Sequence, residues 1–306
     1  MPIVEKRAAI DGVALLTGLI GFLQDSKGKP VVRKPKAAWC GVEELERRVL
    51  LSAAPSNLVT ISFPSSSTIQ ITGDKFDNHI VVSGDSGNLT IQGADGTTLK
   101  LPSKHPAGFT QDSVNQITGP HALDHGAKLV ITTAAGDDFV EIQNFNASIQ
   151  NPSAAPNSLK VDAGVGYNTI AISDSLLKDL AAVAGKGTQG TEVDIVNTTV
   201  RGATNISLGT AADSNSIGIS GSDFKGAFKL TTFKGDDDVS VDSSTFESSV
   251  QMALGAGSDT INLEDHNVFN TSVSLDGGPA SNFLFDDGTS LFKGKTSVLH
   301  FKKNPD

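Results

Sequence analysis

Beyond residue 128 the chain alternates apolar and polar positions with a period of two, in short runs separated by Gly-rich turns. Such alternation is the mark of strands with one buried side. Leu129 to Ile142 sets the pattern: apolar-x-apolar, a turn through Gly136, Asp138 at the tenth place, then Val140 and Ile142. Further copies begin at Leu159, Ile206, Phe228, Val250 and Val273, with Asn168, Asn215, Asp237, Asp259 and Asn282 at their tenth places. A degenerate copy starts near Ala182 with Thr191 at the tenth place, and an isolated one starts at Ile69 with Asn78 there. From 159 onward the blocks advance by 23, 24, 22, 22 and 23 residues, and the longer step from 129 to 159 contains the loop-like insert Asn151 to Asn157. Another apolar residue follows each block, at Leu177, Val200, Phe224, Phe246 and Val268, and reads as a third short strand.

A constant advance of this size is one layer of a solenoid. The sequence therefore predicts an all-β chain: a single-stranded parallel β-helix with coils of about 22–24 residues, right-handed by the usual rule for parallel crossovers. Stacking layers about 4.8 Å apart pairs each backbone with its neighbours and merges the inward residues into stripes. Burial of about 1.5–3 kcal/mol per apolar side chain offsets the entropy of ordering a Gly-rich chain only when layers share a core. Three regions follow: a leader at 1–54, disordered or helical; an irregular β cap with the first coils at 55–128; and the regular β-helix at 129–306.

Charge changes the picture mainly at the N-terminus. The net charge is −10, yet residues 1–54 hold nine basic and six acidic side chains, and four of the five arginines, all but Arg201, lie there. An acidic body argues against nucleic acid as a partner. The single cysteine, Cys40, excludes an internal disulfide framework and any multi-cysteine zinc site, and reads as a plain exposed thiol. The uncharged run Gly12 to Gln24 is too short to span a bilayer; its length suits the apolar part of a signal peptide, and it reads equally as a short amphipathic helix at a disordered terminus. No transmembrane helix is expected.

Leu45-Glu-Arg-Arg-Val-Leu-Leu-Ser-Ala53 resembles the LEPR-XLL motif of large bacterial secreted and surface proteins, with Arg47 where that pattern has Pro. The resemblance covers about a dozen residues. It implies an export-associated leader ahead of a repetitive β-rich body, and so a secreted or cell-surface location. Ser52-Ala-Ala54 would suit a signal peptidase.

The column formed by Asp138, Asn168, Asn215, Asp237, Asp259 and Asn282 has two readings. Asx residues suit tight corners and can stack as a hydrogen-bonded ladder. Alternatively, the turns Gly136-Asp-Asp138, Gly235-Asp-Asp-Asp238 and Gly257-Ser-Asp259 resemble the Gly-x-Asp turns of calcium-binding RTX repeats. Those repeats recur every nine residues, unlike these. On that reading Ca2+ is held by Asp236, Asp237, Asp238 and Asp259. The mutual repulsion of Asp237 and Asp259, one coil apart, would then be relieved by the ion or by solvent exposure. No cofactor is otherwise required.

Enzymatic readings have less support. Gly-Asp-Asp, one of four signatures of β-helical pectin hydrolases, occurs twice, but Asn-Thr-Asp, Gly-His-Gly and Arg-Ile-Lys do not occur. Arg201 is the only arginine available to a lyase of the pectate type. His121 and His125 have a zinc-like spacing, but Gly119-Pro120 and Gly126 flank them and argue against the required helix. The expected function is non-catalytic: a monomeric structural or adhesive solenoid whose partner is a glycan or another envelope or surface protein. A polysaccharide lyase or hydrolase and a calcium-stabilised repeat module are the alternatives.

Overall fold

In the strand Lys128–Thr132, Leu129 and Ile131 are buried while Lys128, Val130 and Thr132 face outward, and the same alternation runs through Phe139–Gln143 and Ser158–Asp162. The computed structural model describes residues 57–85, 88–120, 128–145, 157–185, 189–209 and 214–303. The described residues form strands and turns with no helix. The LEPR-XLL-like segment, the run from Gly12 to Gln24, Cys40 and the pair His121 and His125 lie outside them.

The strands build three sheets of eleven, twelve and six strands. In the first, Leu129 pairs in parallel with Leu159, and the row continues through Leu180, Thr204, Phe228, Val250, Val273 and Thr296. In the second, Val140 pairs with Ile170, followed by Val193, Ile217, Val239, Ile261 and Leu284. Six successive coils add a two-residue strand to the third sheet, from Leu176–Leu177 to Leu291–Phe292. The chain is a parallel β-solenoid, and its core is the set of columns running along the stack.

Two details of the expected register are corrected. The copies expected to start at Ala182 and Ile206 begin their first strands two residues earlier, at Leu180 and Thr204. Their turns to the tenth place are correspondingly longer, so inward residues at both ends of the turn stay in phase. In the third strand it is Phe269, not Val268, that enters the core: Phe246 pairs with Phe269 and Thr245 with Val268. The turn before it carries one extra residue, with Asp265 and His266 both at positive φ (51° and 66°). That residue shifts the side-chain phase by one, which in a strand exchanges inside for outside.

The column entering from the third sheet is Leu177, Val200, Phe224, Phe246 and Phe269, all buried. Phe224, Phe246, Phe269 and Phe292 stack almost parallel, with centroids 5.0, 5.0 and 4.8 Å apart. One ring per coil at the layer spacing makes this geometry automatic.

At the N-terminal end, the block at Ile69 joins the stack directly: Ile69 pairs with Leu129 and His79 with Phe139. The second sheet then ends in antiparallel strands, Asn88–Ala94, Gln116–Pro120 and Thr110–Ser113. The first ends with Leu58–Ser65, antiparallel to Thr68–Thr72 and parallel to Thr98–Lys100. All four side chains of the edge strand Thr110–Ser113 are exposed and polar, which discourages further pairing. No helix among the described residues is long and apolar enough to cross a membrane.

Candidate functional site

The tenth-place column lies at the corner between the first and second sheets, where each chain leaves a Gly-rich turn and enters its second strand. Glycine is required there by crowding as much as by conformation. A Cβ on Gly257 would lie 1.8 Å from the Gly235 carbonyl oxygen of the preceding coil, and φ at Gly257 is 155°. The turns are thus nested backbone on backbone, and the following Asx residue is carried into the interior.

Asn78, Asp138, Asn168, Thr191, Asn215, Asp237, Asp259 and Asn282 are all at most 3% exposed. From Asp138 onward, Thr191 excepted, each side-chain oxygen accepts a hydrogen bond from the backbone N–H one coil earlier, while Asn78 Oδ1 accepts from Asp74 N in its own turn (3.0 Å). Asn78 N donates to Asp138 Oδ1 (2.7 Å) and Asp138 N to Asn168 Oδ1 (3.1 Å). After the break at Thr191, Thr191 N donates to Asn215 Oδ1 (3.0 Å), Asn215 N to Asp237 Oδ1 (2.8 Å), Asp237 N to Asp259 Oδ1 (2.9 Å) and Asp259 N to Asn282 Oδ1 (2.8 Å). At Thr191 the column is interrupted, and Asn168 N turns to the Gly190 carbonyl (3.4 Å).

The Gly-Asp-Asp turns hold the stack in both directions. The second aspartate faces inward and accepts from the coil before. The first faces outward and accepts from the coil after: Tyr167 N donates to Asp137 Oδ1 (2.9 Å) and Ser258 N to Asp236 Oδ1 (2.7 Å). Asp77 does the same for Asp137 N (2.8 Å). Asp238, also exposed, accepts from Asn262 Nδ2 (3.2 Å).

Of the four residues expected to hold calcium, Asp237 and Asp259 are therefore interior neighbours, while Asp236, on the turn, and Asp238, opening the next strand, are exposed. Among the described residues no group of three or more His, Cys, Asp or Glu side chains is arranged to hold a metal ion. Solvent exposure does not relieve the repulsion between Asp237 and Asp259, which are 1% and 0% exposed. Burial instead pushes the Asp138 and Asp259 carboxyls up to about 6, and raises that of Asp237 as well.

A second ladder, at the corner between the second and third sheets, escaped the sequence reading. Phe145 N donates to Ser175 Oγ, Ser175 N to Thr198 Oγ1, Thr198 N to Ser222 Oγ, Ser222 N to Ser244 Oγ and Ser244 N to Asn267 Oδ1, at 3.0–3.4 Å. Each hydroxyl also donates to the carbonyl two residues back, as Ser244 Oγ does to Asp242 O (2.7 Å). The signal was present: a Ser, Thr or Asn stands two residues before every inward residue of the third strand. Two histidines meet carboxylates at the surface, His79 with Asp95 and His300 with Asp276, both at 2.7 Å. Neither pair falls in the repeat columns.

The described coils thus define a parallel β-solenoid whose corner columns are hydrogen-bond ladders. No protein-family model, curated protein or solved structure matches the chain.

Proposed function

We propose that the chain is a non-catalytic solenoid, secreted or displayed at the cell surface, that acts as a structural or adhesive element and contacts a glycan or another envelope protein through its outward sheet faces. The observation that carries this reading is the use made of the tenth-place carboxyls. The residues with the most chemical potential in the sequence, in the Gly-Asp-Asp turns above all, accept backbone N–H bonds from adjacent coils. What the stack offers to a partner is instead a set of regular outward rows, some of them of short side chains. One such row on the second sheet is Asp194, Gly218, Ser240 and Asn262, in direct register.

Fractionation with N-terminal sequencing tests the location, and cosedimentation with cell-envelope polysaccharide tests the contact. The expected result is protein in the extracellular or envelope fraction, beginning near Ala54, that binds the polysaccharide without cleaving it. Full-length protein in the cytosol defeats the surface reading, and turnover of the polysaccharide favours a lyase or hydrolase.

A further inference from the structure

Most rungs of the two ladders follow one rule. Asn215 and Asn267 keep the donor but turn it elsewhere, to Asp237 Oδ1 (2.7 Å) and to Val241 O and Glu264 O (2.8 Å each). Three aspartates, as carboxylates, have no donor to turn. A rung accepts an N–H bond from the coil before and donates its own proton to a carbonyl two residues back. Ser175, Thr198, Ser222 and Ser244 do both. So do Asn168, whose Nδ2 donates to Gly166 O (3.1 Å), and Asn282, whose Nδ2 reaches Ala280 O (3.4 Å). Asp138, Asp237 and Asp259 accept at Oδ1 as the rule requires, but the Oδ2 of each is buried with no hydrogen-bond partner. These are the atoms that stand where asparagine carries its N–H donor. An ionised carboxylate has nothing to donate there, whereas a neutral carboxylic acid has one O–H.

The surroundings favour that proton. Thr133 and Thr232 lie beside Asp138 and Asp237. When the two hydroxyls donate onward, to Ala163 O and Leu254 O (each 2.7 Å), they present only lone pairs to the carboxyl. Turned to the carboxyl they would instead stabilise its charge, and burial outweighs them. Counted from the first strands as they pair, Thr133 and Thr232 share the fifth position of their coils, where Ala163, Leu208 and Leu254 stand in others. The charges that act on the three carboxyls are acidic: Asp77 and Asp137 on Asp138, Asp236 on Asp237, and Asp237 and Asp236 on Asp259. Lys234, on the turn before Asp237, and Asp238, at the start of the strand after it, face solvent. A buried oxygen without a donor, beside like charge, is costly as an anion.

We propose that Asp138, Asp237 and Asp259 are proton-binding rungs that stand in for asparagine: each is a neutral acid donating to the carbonyl two residues back, at Gly136, Gly235 and Gly257, or to the neighbouring threonine oxygen. The solenoid is then most firmly locked in mild acid and loosened when the three ionise. A carboxyl held protonated by the fold binds its proton more tightly folded than unfolded. Its contribution is therefore complete below the ordinary aspartate range and is lost as pH rises toward about 6. Half-buried aspartates with lowered values, Asp74 and Asp276 among them, work in the opposite sense but only at lower pH.

The test is denaturant unfolding of the full chain at pH 5 and pH 7.5, beside a variant carrying Asp138→Asn, Asp237→Asn and Asp259→Asn. Each substitution installs the residue used at the same place in other coils, and the single variant Asp259→Asn serves if the triple variant folds poorly. The wild type should be more stable at pH 5, its unfolding constant rising by up to about tenfold per pH unit for each carboxyl through the window. The triple variant should lose that slope, exceed the wild type at pH 7.5, and show a weaker infrared carboxylic-acid band than the wild type at pH 5. Comparing the two proteins subtracts all other titrating groups, the His79–Asp95 and His300–Asp276 pairs included. Equal pH slopes, or a variant less stable than wild type at pH 7.5, overturn the proposal. So does stabilisation of the wild type at pH 7.5 by millimolar calcium that is reversed by chelator and absent from the variant, which would assign the same oxygens to a cation.

Discussion

Gly257 and Asp259 show how closely the corner is determined residue by residue. One must lack a Cβ because the carbonyl of Gly235 occupies its place, and the other must offer an oxygen to Asp237 N. Gly257→Ala meets backbone, which cannot swing aside as a flexible side chain can, and also disfavoured φ. We expect it to destabilise the fold by at least about 2 kcal/mol, read as a lower denaturation midpoint with an unchanged slope. The Asx column was legible in the sequence because one residue type recurs at one place. The hydroxyl ladder was not, because Ser175, Thr198, Ser222, Ser244 and Asn267 share a function but not a side chain, in a chain where such residues are common everywhere. Nor could the sequence alone say that Asp237 and Asp259 are buried with an oxygen unpartnered, since that depends on which way the corner turns.

The unit of stability at the level of the element is the column. The strand Asp223–Phe224 has only two residues, and so have its neighbours Thr245–Phe246 and Val268–Phe269. Strands so short are held by what their inward residue touches. Phe246 stacks on Phe224 and Phe269 and meets Phe228 edge-on at 5.2 Å. Phe246→Ala should cost about 3–5 kcal/mol, while Thr245→Ala, on the outward side of the same strand, should cost less than about 1 kcal/mol. Chemical denaturation of the two variants checks the contrast. Strand period and coil length could be read from the repeat. The phase error at Val268 arose because fixed spacing cannot see one extra turn residue, here accommodated by consecutive positive φ at Asp265 and His266.

For the whole molecule, the claim on which the rest depends is that sequence blocks are layers, each resting on the next with its inward columns in line. Lys160, Asn205, Lys229, Gln251 and Ser274 occupy one outward row of the first sheet, joined in register through Ala181. Spin labels measure that row directly, with Lys160→Cys paired in turn with Asn205→Cys, Lys229→Cys, Gln251→Cys and Ser274→Cys in a Cys40→Ser background. Backbone separations should grow by about 4.8 Å per layer, to about 10, 14, 19 and 24 Å. Distances that fail to lengthen evenly from one block to the next, or that shorten between alternate blocks as in folded hairpins, would contradict the stacked architecture and the ladders built upon it.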